Sequence, residues 1–498
     1  MVLVFCLVSS GTLRMGKQAK MNDATRIRAP ELPASLEWFN TEQPLTLASQ
    51  RGKVVLLDFW SYCSINCMHV LPDLRYLEHK YPQNLTIIGI HSPKFENERV
   101  SEQVQKAINR NHIRHPVAND PQFQLWRAYG IKAWPSIIFI DPEGYVVGIL
   151  RGEGRRKQLD ELISKHIDAA EEKGILKHSP MPVKLQPEKA STLSFPGKVL
   201  ATRNNLYIAD SGRNRVLETY HDGKIKRVFG GGTGGMLDGK EDAAMFDNPQ
   251  GMVIVGDFLY VADTGNHSIR RIHLKSGEVM TLAGNGKQGR YVSDFFREPL
   301  DAELNSPWDL SYYEGNLYIA MAGQHQVWKM NLNHLAIERY AGSGREDIVD
   351  GALEHACFAQ PSGIVTLGSH VFVVDSETSA VRDIEINRGV VSTVVGKGLF
   401  DFGDRGGIGR EARLQHPMGI TVDDERNALW IADTYNSKIK RIDVQTSEVS
   451  AFKFSYQLNE PGGLSLFRDK MFIANTNDHQ IIALDLKSRI AEVVDVRE

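Results

Sequence analysis

The stretch Val54-Val55-Leu56-Leu57-Asp58-Phe59-Trp60-Ser61-Tyr62-Cys63-Ser64-Ile65-Asn66-Cys67-Met68-His69-Val70-Leu71-Pro72 organises the chain around it. An apolar run leads into an acidic residue and aromatics. A cysteine-containing turn follows, then an amphipathic segment with a proline inside its second turn. That order reads as strand, active loop, helix. Working outward, the strand is expected over Lys53 to Trp60, the helix over Ser64 to Lys80 and a second buried strand over Leu85 to His91. Helices over Glu96 to Asn111 and Gln122 to Tyr129 follow, then a strand from Ile137 to Ile140. Asp141-Pro142-Glu143-Gly144 is a turn signal that pairs this strand with Tyr145 to Leu150 as a hairpin. A helix over Arg155 to Glu172 closes the unit.

The order β-α-β-α-α-β-β-α resembles the thioredoxin fold, whose motif follows a buried strand ending in Asp-Phe-Trp and sits at a helix N-terminus. Counted from Trp60, Cys67 takes the place of the second cysteine of that motif and Pro72 that of its helix-kinking proline. The place of the first cysteine falls on Ser64, and Cys63 sits one position early.

At 498 residues the chain exceeds one ordinary core, so two or three domains are expected. Four cysteines exclude a disulfide-stapled scaffold and fit a reducing compartment. Residues 1–29 show no periodicity and are expected to be a disordered leader, with Met15 or Met21 as alternative starts. Val2 to Val8 is apolar but has no basic residue before it and no clear cleavage pattern after it, so a weak secretory signal is the alternative reading; it is too short to span a bilayer. The thioredoxin-like domain is placed at residues 30–174. Pro180, Pro182 and Pro187 mark a semi-rigid linker over residues 175–195.

From residue 196 onward the sequence repeats. Leu206-Tyr207-Ile208-Ala209-Asp210, Leu259-Tyr260-Val261-Ala262-Asp263, Leu317-Tyr318-Ile319-Ala320-Met321, Val371-Phe372-Val373-Val374-Asp375, Leu429-Trp430-Ile431-Ala432-Asp433 and Met471-Phe472-Ile473-Ala474-Asn475 form one series. Each is followed by a polar turn and a β run. A further β run and a glycine-rich loop lead to a turn such as Pro249-Gln250-Gly251 or Pro417-Met418-Gly419. About four strands in each of six repeats predicts a six-bladed all-β propeller over residues 196–498. The repeat phrase resembles that of NHL repeats. This half holds 33 Lys and Arg against 41 Asp and Glu, a balance of −8 that argues against nucleic acid as a partner. The propeller is expected to recognise protein partners, and no segment is expected to enter a membrane.

A thiolate is the reactive form of cysteine, and a helix N-terminus stabilises it. Cys67 in the first turn and Cys63 just before it both lie in that field, with Cys63 the more exposed attacking candidate and Cys67 the resolving one. Ser64 is expected to cap the helix through its hydroxyl, accepting the amide of Asn66 or Cys67. Asp58 occupies the position of the buried carboxylate that moves a proton for the second cysteine in thioredoxins; burial raises such a carboxyl toward the range of a general base. Trp134-Pro135 matches the place where thioredoxin folds carry a cis-proline facing the active loop. Trp60, Ser64, Trp134 and Pro135 are thus expected on the substrate side, with Cys63, Cys67 and Asp58 as the reacting set. His69, two residues after Cys67, and His91, ending the second strand on the edge where the active loop lies, make a Cu(I) or Zn site with the two cysteines an alternative, although no metal or other cofactor is expected. Cys357 reads as a lone packed thiol and Cys6 as part of the leader.

Trp60 to Asp73, His91-Ser92-Pro93-Lys94-Phe95, Asn119-Asp120, Leu125-Trp126, Trp134-Pro135 and Gly152-Glu153-Gly154, together with the propeller, are similar to the NHL repeat-containing protein 2 family over residues 30 to 498. The resemblance implies a cytosolic protein, and the β-rich C-terminal module of longer members is not expected here. The family motif reads Cys-Cys-Ile-Asn-Cys; this chain carries Ser64 in place of the middle cysteine. Two functions follow as expectations: a thiol-disulfide protein using Cys63 and Cys67 with the propeller as partner platform, or a binding scaffold whose thioredoxin-like half has lost catalysis.

Overall fold

The computed structural model describes residues 26–290 and 294–498, so most of the expected leader lies outside the described residues. The first unit is a six-stranded sheet built from β1 (Glu37–Phe39), β2 (Val54–Trp60), β3 (Leu85–His91), β4 (Val117–Asn119), β5 (Ser136–Ile140) and β6 (Val146–Arg151). Its strand order is β1-β4-β3-β2-β5-β6. The central strand β2 runs parallel to β3 and antiparallel to β5, and all seven of its residues are buried. Because side chains alternate across a strand, Val55, Leu57 and Phe59 enter one core layer. Val54 and Leu56 enter the other, against Leu74 and Leu77 of α2 (Leu71–Lys80) and Leu159 and Ile163 of the C-terminal helix (Arg156–Glu172).

Two helices differ from the expected spans. The Ser64 to Lys80 segment splits into α1 (Ile65–Met68) and α2. Pro72 has no N–H to donate to the Met68 carbonyl and its ring crowds that group, so the helix restarts. The Glu96 to Asn111 segment is a 3-10 turn (Asn97–Arg99), an extended Val100 and α3 (Ser101–Arg110). The edge strand β1 and its neighbour β4, three residues each, are too short to show a period.

Residues 196–498 form six sheets of four or five antiparallel strands. Their first strands, Lys198–Ala201, Pro249–Val255, Pro307–Tyr313, Pro361–Leu367, Gly419–Asp423 and Pro461–Phe467, contact one another in cyclic order around an axis. The last touches the first, which closes a six-bladed propeller. The Lys198 ammonium fills the axis, donating to Asp309 Oδ2 at 3.2 Å and to the carbonyls of Ser362 and Met418 at 3.0 and 2.5 Å.

The repeated acidic residue has a structural task. Asp210, Asp263, Asp375 and Asp433 each accept a backbone N–H of the incoming loop, from Ser194, Asp247, Ala359 and Gln415 at 2.6 to 2.8 Å. Asn475 does the same for Asn459. All four carboxylates also meet a basic side chain of the next strand: Arg215, Arg270, Arg382 and Lys440.

The residues between the two units do not form a free spacer. Lys177 N donates to Gly52 O and Lys184 N to Asn40 O, while Glu188 meets Lys106 of α3 and His479 of the last blade.

Candidate thiol site at the domain interface

Each blade begins with a residue that precedes proline and takes a positive φ: Phe195, Asn248, Ser306, Gln360, His416 and Glu460. Proline keeps its predecessor out of the right-handed helical region. A side chain of the preceding blade holds each of these residues by its amide. His479, His267 and His325 accept through Nδ1 from Phe195, Ser306 and Gln360 at 3.0 Å, and Asn214, Ser379 and Ser437 serve the other three. Those histidines are therefore blade fasteners. The six residues ring the propeller mouth, and several of them reach the cysteine motif.

Gln360 spans Cys63 and Ile65, its Nε2 donating to the Cys63 carbonyl at 2.9 Å and its Oε1 accepting the Ile65 amide at 2.7 Å. Glu460 accepts from Tyr62 Oη at 2.9 Å, Asn97 Nδ2 at 2.6 Å and Arg110 Nη1 at 3.2 Å. His69 joins Ser306 Oγ at 2.8 Å to Glu153 at 2.5 Å. This serine–histidine–glutamate chain is buried at Ser306, which also faces His267 at 3.4 Å, and it acts as a strut between the units. Phe95 packs against Phe402, His416 and Tyr435. A cavity of about 90 Å³ remains between Cys63, Ile65 and Met68 and the propeller mouth.

Both motif cysteines are free thiols, 3% and 1% exposed. Cys63, expected as the more exposed of the two, is itself buried, because Gln360 and its neighbours cover it. Burial pushes both thiols well above their ordinary range, and Glu377 and Glu98 push Cys63 further. The four-residue α1 does not offset this, and its first amide already serves Gln360. Ser64 occupies the cap position, but its hydroxyl makes no cap bond; its carbonyl accepts from Cys67 and Met68. The side-chain capping expected of Ser64 is supplied by Gln360.

Asp58 lies at the end of β2, buried, with no protein group hydrogen-bonded to either oxygen among the described residues. Desolvation raises it to about 7, with His115 opposing, and its charge raises Cys67. Trp60 is buried against His91. The Trp134–Pro135 bond is cis; Pro135 is buried and Trp134 lies half-buried against Trp126.

Four groups at the site escaped the sequence reading. Ser61 Oγ lies 3.0 Å from Cys63 Sγ and donates to Glu98 Oε1 at 2.6 Å. Glu98 also accepts the amides of Cys63, Lys94 and Phe95, and burial raises it to about 7. Lys94 pairs with Glu377 of the propeller beside Cys63, and the Lys94 ammonium holds that carboxyl below its usual range against desolvation. Neither carboxylate carries a motif signal, although the Lys94 segment was part of the family resemblance. Among the described residues, no group of three or more His, Cys, Asp or Glu is placed to hold a metal ion, and no helix is long and apolar enough to cross a membrane.

Comparison with known proteins agrees with this two-part architecture. Residues 52–146 match the thioredoxin-like family model and residues 246–272 the NHL repeat model. The chain is 38% identical to NHL repeat-containing protein 2 of Bos taurus over 94% of its length and 71% of that protein. It is also 38% identical to the chloroplastic protein SUPPRESSOR OF QUENCHING 1 of Arabidopsis thaliana, over 93% of this chain and 47% of that one. Over 24% of this chain and 68% of the relative it is 26% identical to the thiol-disulfide oxidoreductase ResA of Bacillus thuringiensis. A thioredoxin-like domain followed by a six-bladed NHL propeller, with identity to the bovine protein across nearly the whole chain, establishes the grouping: the chain belongs to the NHL repeat-containing protein 2 family.

Proposed function

We propose that the protein is a cytoplasmic thiol-disulfide protein in which Cys63 and Cys67 are the redox pair and the propeller both recognises protein partners and covers the motif. The observation that carries this reading is Asp58. A buried carboxyl without a hydrogen-bonding protein partner costs stability, packing does not require it, and its charge acts on Cys67. A carboxyl that titrates at about 7 is matched to taking the proton of a resolving thiol. Trp60, Ser64, Trp134 and Pro135 are assigned to the substrate side. The thiol-disulfide oxidoreductase name of the ResA relative supports the same class. With the mouth closed the thiols are dormant, so exchange requires the Gln360 contacts to open.

The test is thiol trapping with intact mass and peptide mapping across a series of glutathione redox buffers. A reversible Cys63–Cys67 disulfide that is lost in Cys63→Ser and in Cys67→Ser supports the reading. Thiols that stay reduced throughout would overturn it. The alternative favoured by the burial of both cysteines is a protein-binding scaffold, whose pulled-down partners would be unchanged in the double serine variant.

A further inference from the structure

Cys63 is a buried thiol, and the groups placed to take its proton lie on its own domain, so they stay with it when the Gln360 contacts open. We propose that Glu98 is the proton acceptor for Cys63, acting through the Ser61 hydroxyl. This inference rests on the thiol-disulfide reading above.

The geometry is a continuous chain. Cys63 Sγ lies 3.0 Å from Ser61 Oγ, which lies 2.6 Å from Glu98 Oε1. The other carboxyl oxygen is fixed by the Lys94 and Phe95 amides at 2.7 and 2.9 Å, so the acceptor cannot swing away. Glu98 is fully buried, and desolvation places it at about 7, where it accepts or holds a proton at neutral pH. Glu377 is the other carboxyl facing Cys63, but its ion pair with Lys94 keeps it charged and a poor base. Around Glu98 stand His91, whose Nε2 is 4.0 Å away and whose burial lowers it to about 4, and the high-titrating phenols of Tyr62 and Tyr435. Neither His91 nor the phenols change charge near neutrality.

In the step proposed, Ser61 takes the proton from Cys63 Sγ as its own passes to Glu98 Oε1. One S–H bond and one O–H bond break, and two O–H bonds form. The Cys63 thiolate attacks one sulfur of a substrate disulfide, making a mixed disulfide and releasing a substrate thiolate, which takes up a proton. Cys67 then attacks Cys63 Sγ, releases the second substrate sulfur as a thiol and leaves the Cys63–Cys67 disulfide. The two electrons lost by the cysteines reduce the substrate disulfide. Internal transfer exchanges one buried charge for another and creates no extra one.

The test is the pH–rate profile of Cys63 alkylation by iodoacetamide, read by peptide mass in the full chain. Wild type is expected to show a rise centred near 7, the titration of Glu98. In Ser61→Ala that neutral step is lost and the rate at pH 7.5 falls roughly a hundredfold. Ser61→Thr restores it, and Glu98→Gln, an independent variant, reproduces the loss. A merely structural role for Ser61 would leave the inflection in place, and an unchanged neutral step in both Ser61→Ala and Glu98→Gln would overturn the inference. Wild-type Cys63 that forms no disulfide and reacts at no pH would instead overturn the thiol-disulfide reading and this inference with it.

Discussion

Gln360 of the propeller and Ile65 of the thioredoxin-like unit share a 2.7 Å hydrogen bond in which a side chain from one domain caps the helix that carries the motif of the other. The same amide binds the Cys63 carbonyl at 2.9 Å. The first orphan N–H of a helix, normally open to an anion or a local cap, is therefore spent on holding the domains together. Burial, to which this contact contributes, is what pushes both thiols well above their ordinary range.

Gln360→Ala should wake Cys63. It deletes two hydrogen bonds worth about 1 kcal/mol each to the closed state, so exposure of the thiol should rise roughly thirtyfold. Iodoacetamide kinetics with peptide mapping would show it, with Cys357 as internal reference. Unchanged kinetics at Cys63 would mean that the cover is held elsewhere.

Asp58→Asn should stabilise the protein in alkaline buffer. The carboxyl is raised from 3.8 to about 7 in the folded chain, so the folded state binds its proton more tightly than the unfolded one. Its favourable contribution is complete below about pH 4 and is lost as pH rises through 7, a difference of ~4 kcal/mol by linkage. Glu98, raised from 4.5 to about 7, acts in the same direction. Urea unfolding should show wild type weaker at pH 8 than at pH 5, and Asp58→Asn with a smaller difference.

Asp263→Ala should weaken the propeller. Asp263 is buried beside Arg270 at 2.9 Å and also accepts the Asp247 amide at 2.8 Å. Removing it strands the loop N–H and leaves the buried guanidinium to Asp238 and the carbonyls of Met245 and Leu237, a loss of about 2–3 kcal/mol. Thermal unfolding would measure it, and Asp257→Ala, at an exposed ion pair, should move the midpoint little.

The propeller was legible because its six blades repeat one phrase, and the phrase encodes a local device: the terminal Asp of the second strand and the residue before the blade's proline. The strands β2, β3 and β5 were equally plain, since buried central strands are long apolar runs. Asp58 was found by its place near the end of β2 and the cysteines by their place after it. Glu98, Glu377 and Gln360 were not, because each acquires its meaning only when chain segments 35 to nearly 300 residues apart meet, and a lone acid or amide in a polar loop has no pattern. The same distance effect explains Cys63. Its sequence neighbourhood describes an exposed loop, and the propeller that buries it begins more than a hundred residues later.

Glu460→Ala should loosen the domains. Glu460 gathers Tyr62, Asn97 and Arg110 of the thioredoxin-like unit onto the last blade, and its loss leaves Arg110 with Asn477 alone as its propeller partner. Because Arg110 is a quarter exposed, the cost is discounted to ~2 kcal/mol rather than the full penalty of a stranded buried ion. The linker is tied by Glu188 to Lys106 on one side and His479 on the other, so it loosens with the interface. Proteolysis that follows the population of an open form should then accelerate roughly thirtyfold after Lys184 and Lys189. Limited trypsin digestion read by mass would check it, with Glu492→Ala on an outer strand as the control. Equal cleavage of Glu460→Ala and wild type would show that Gln360 and the Phe95 cluster hold the interface without Glu460.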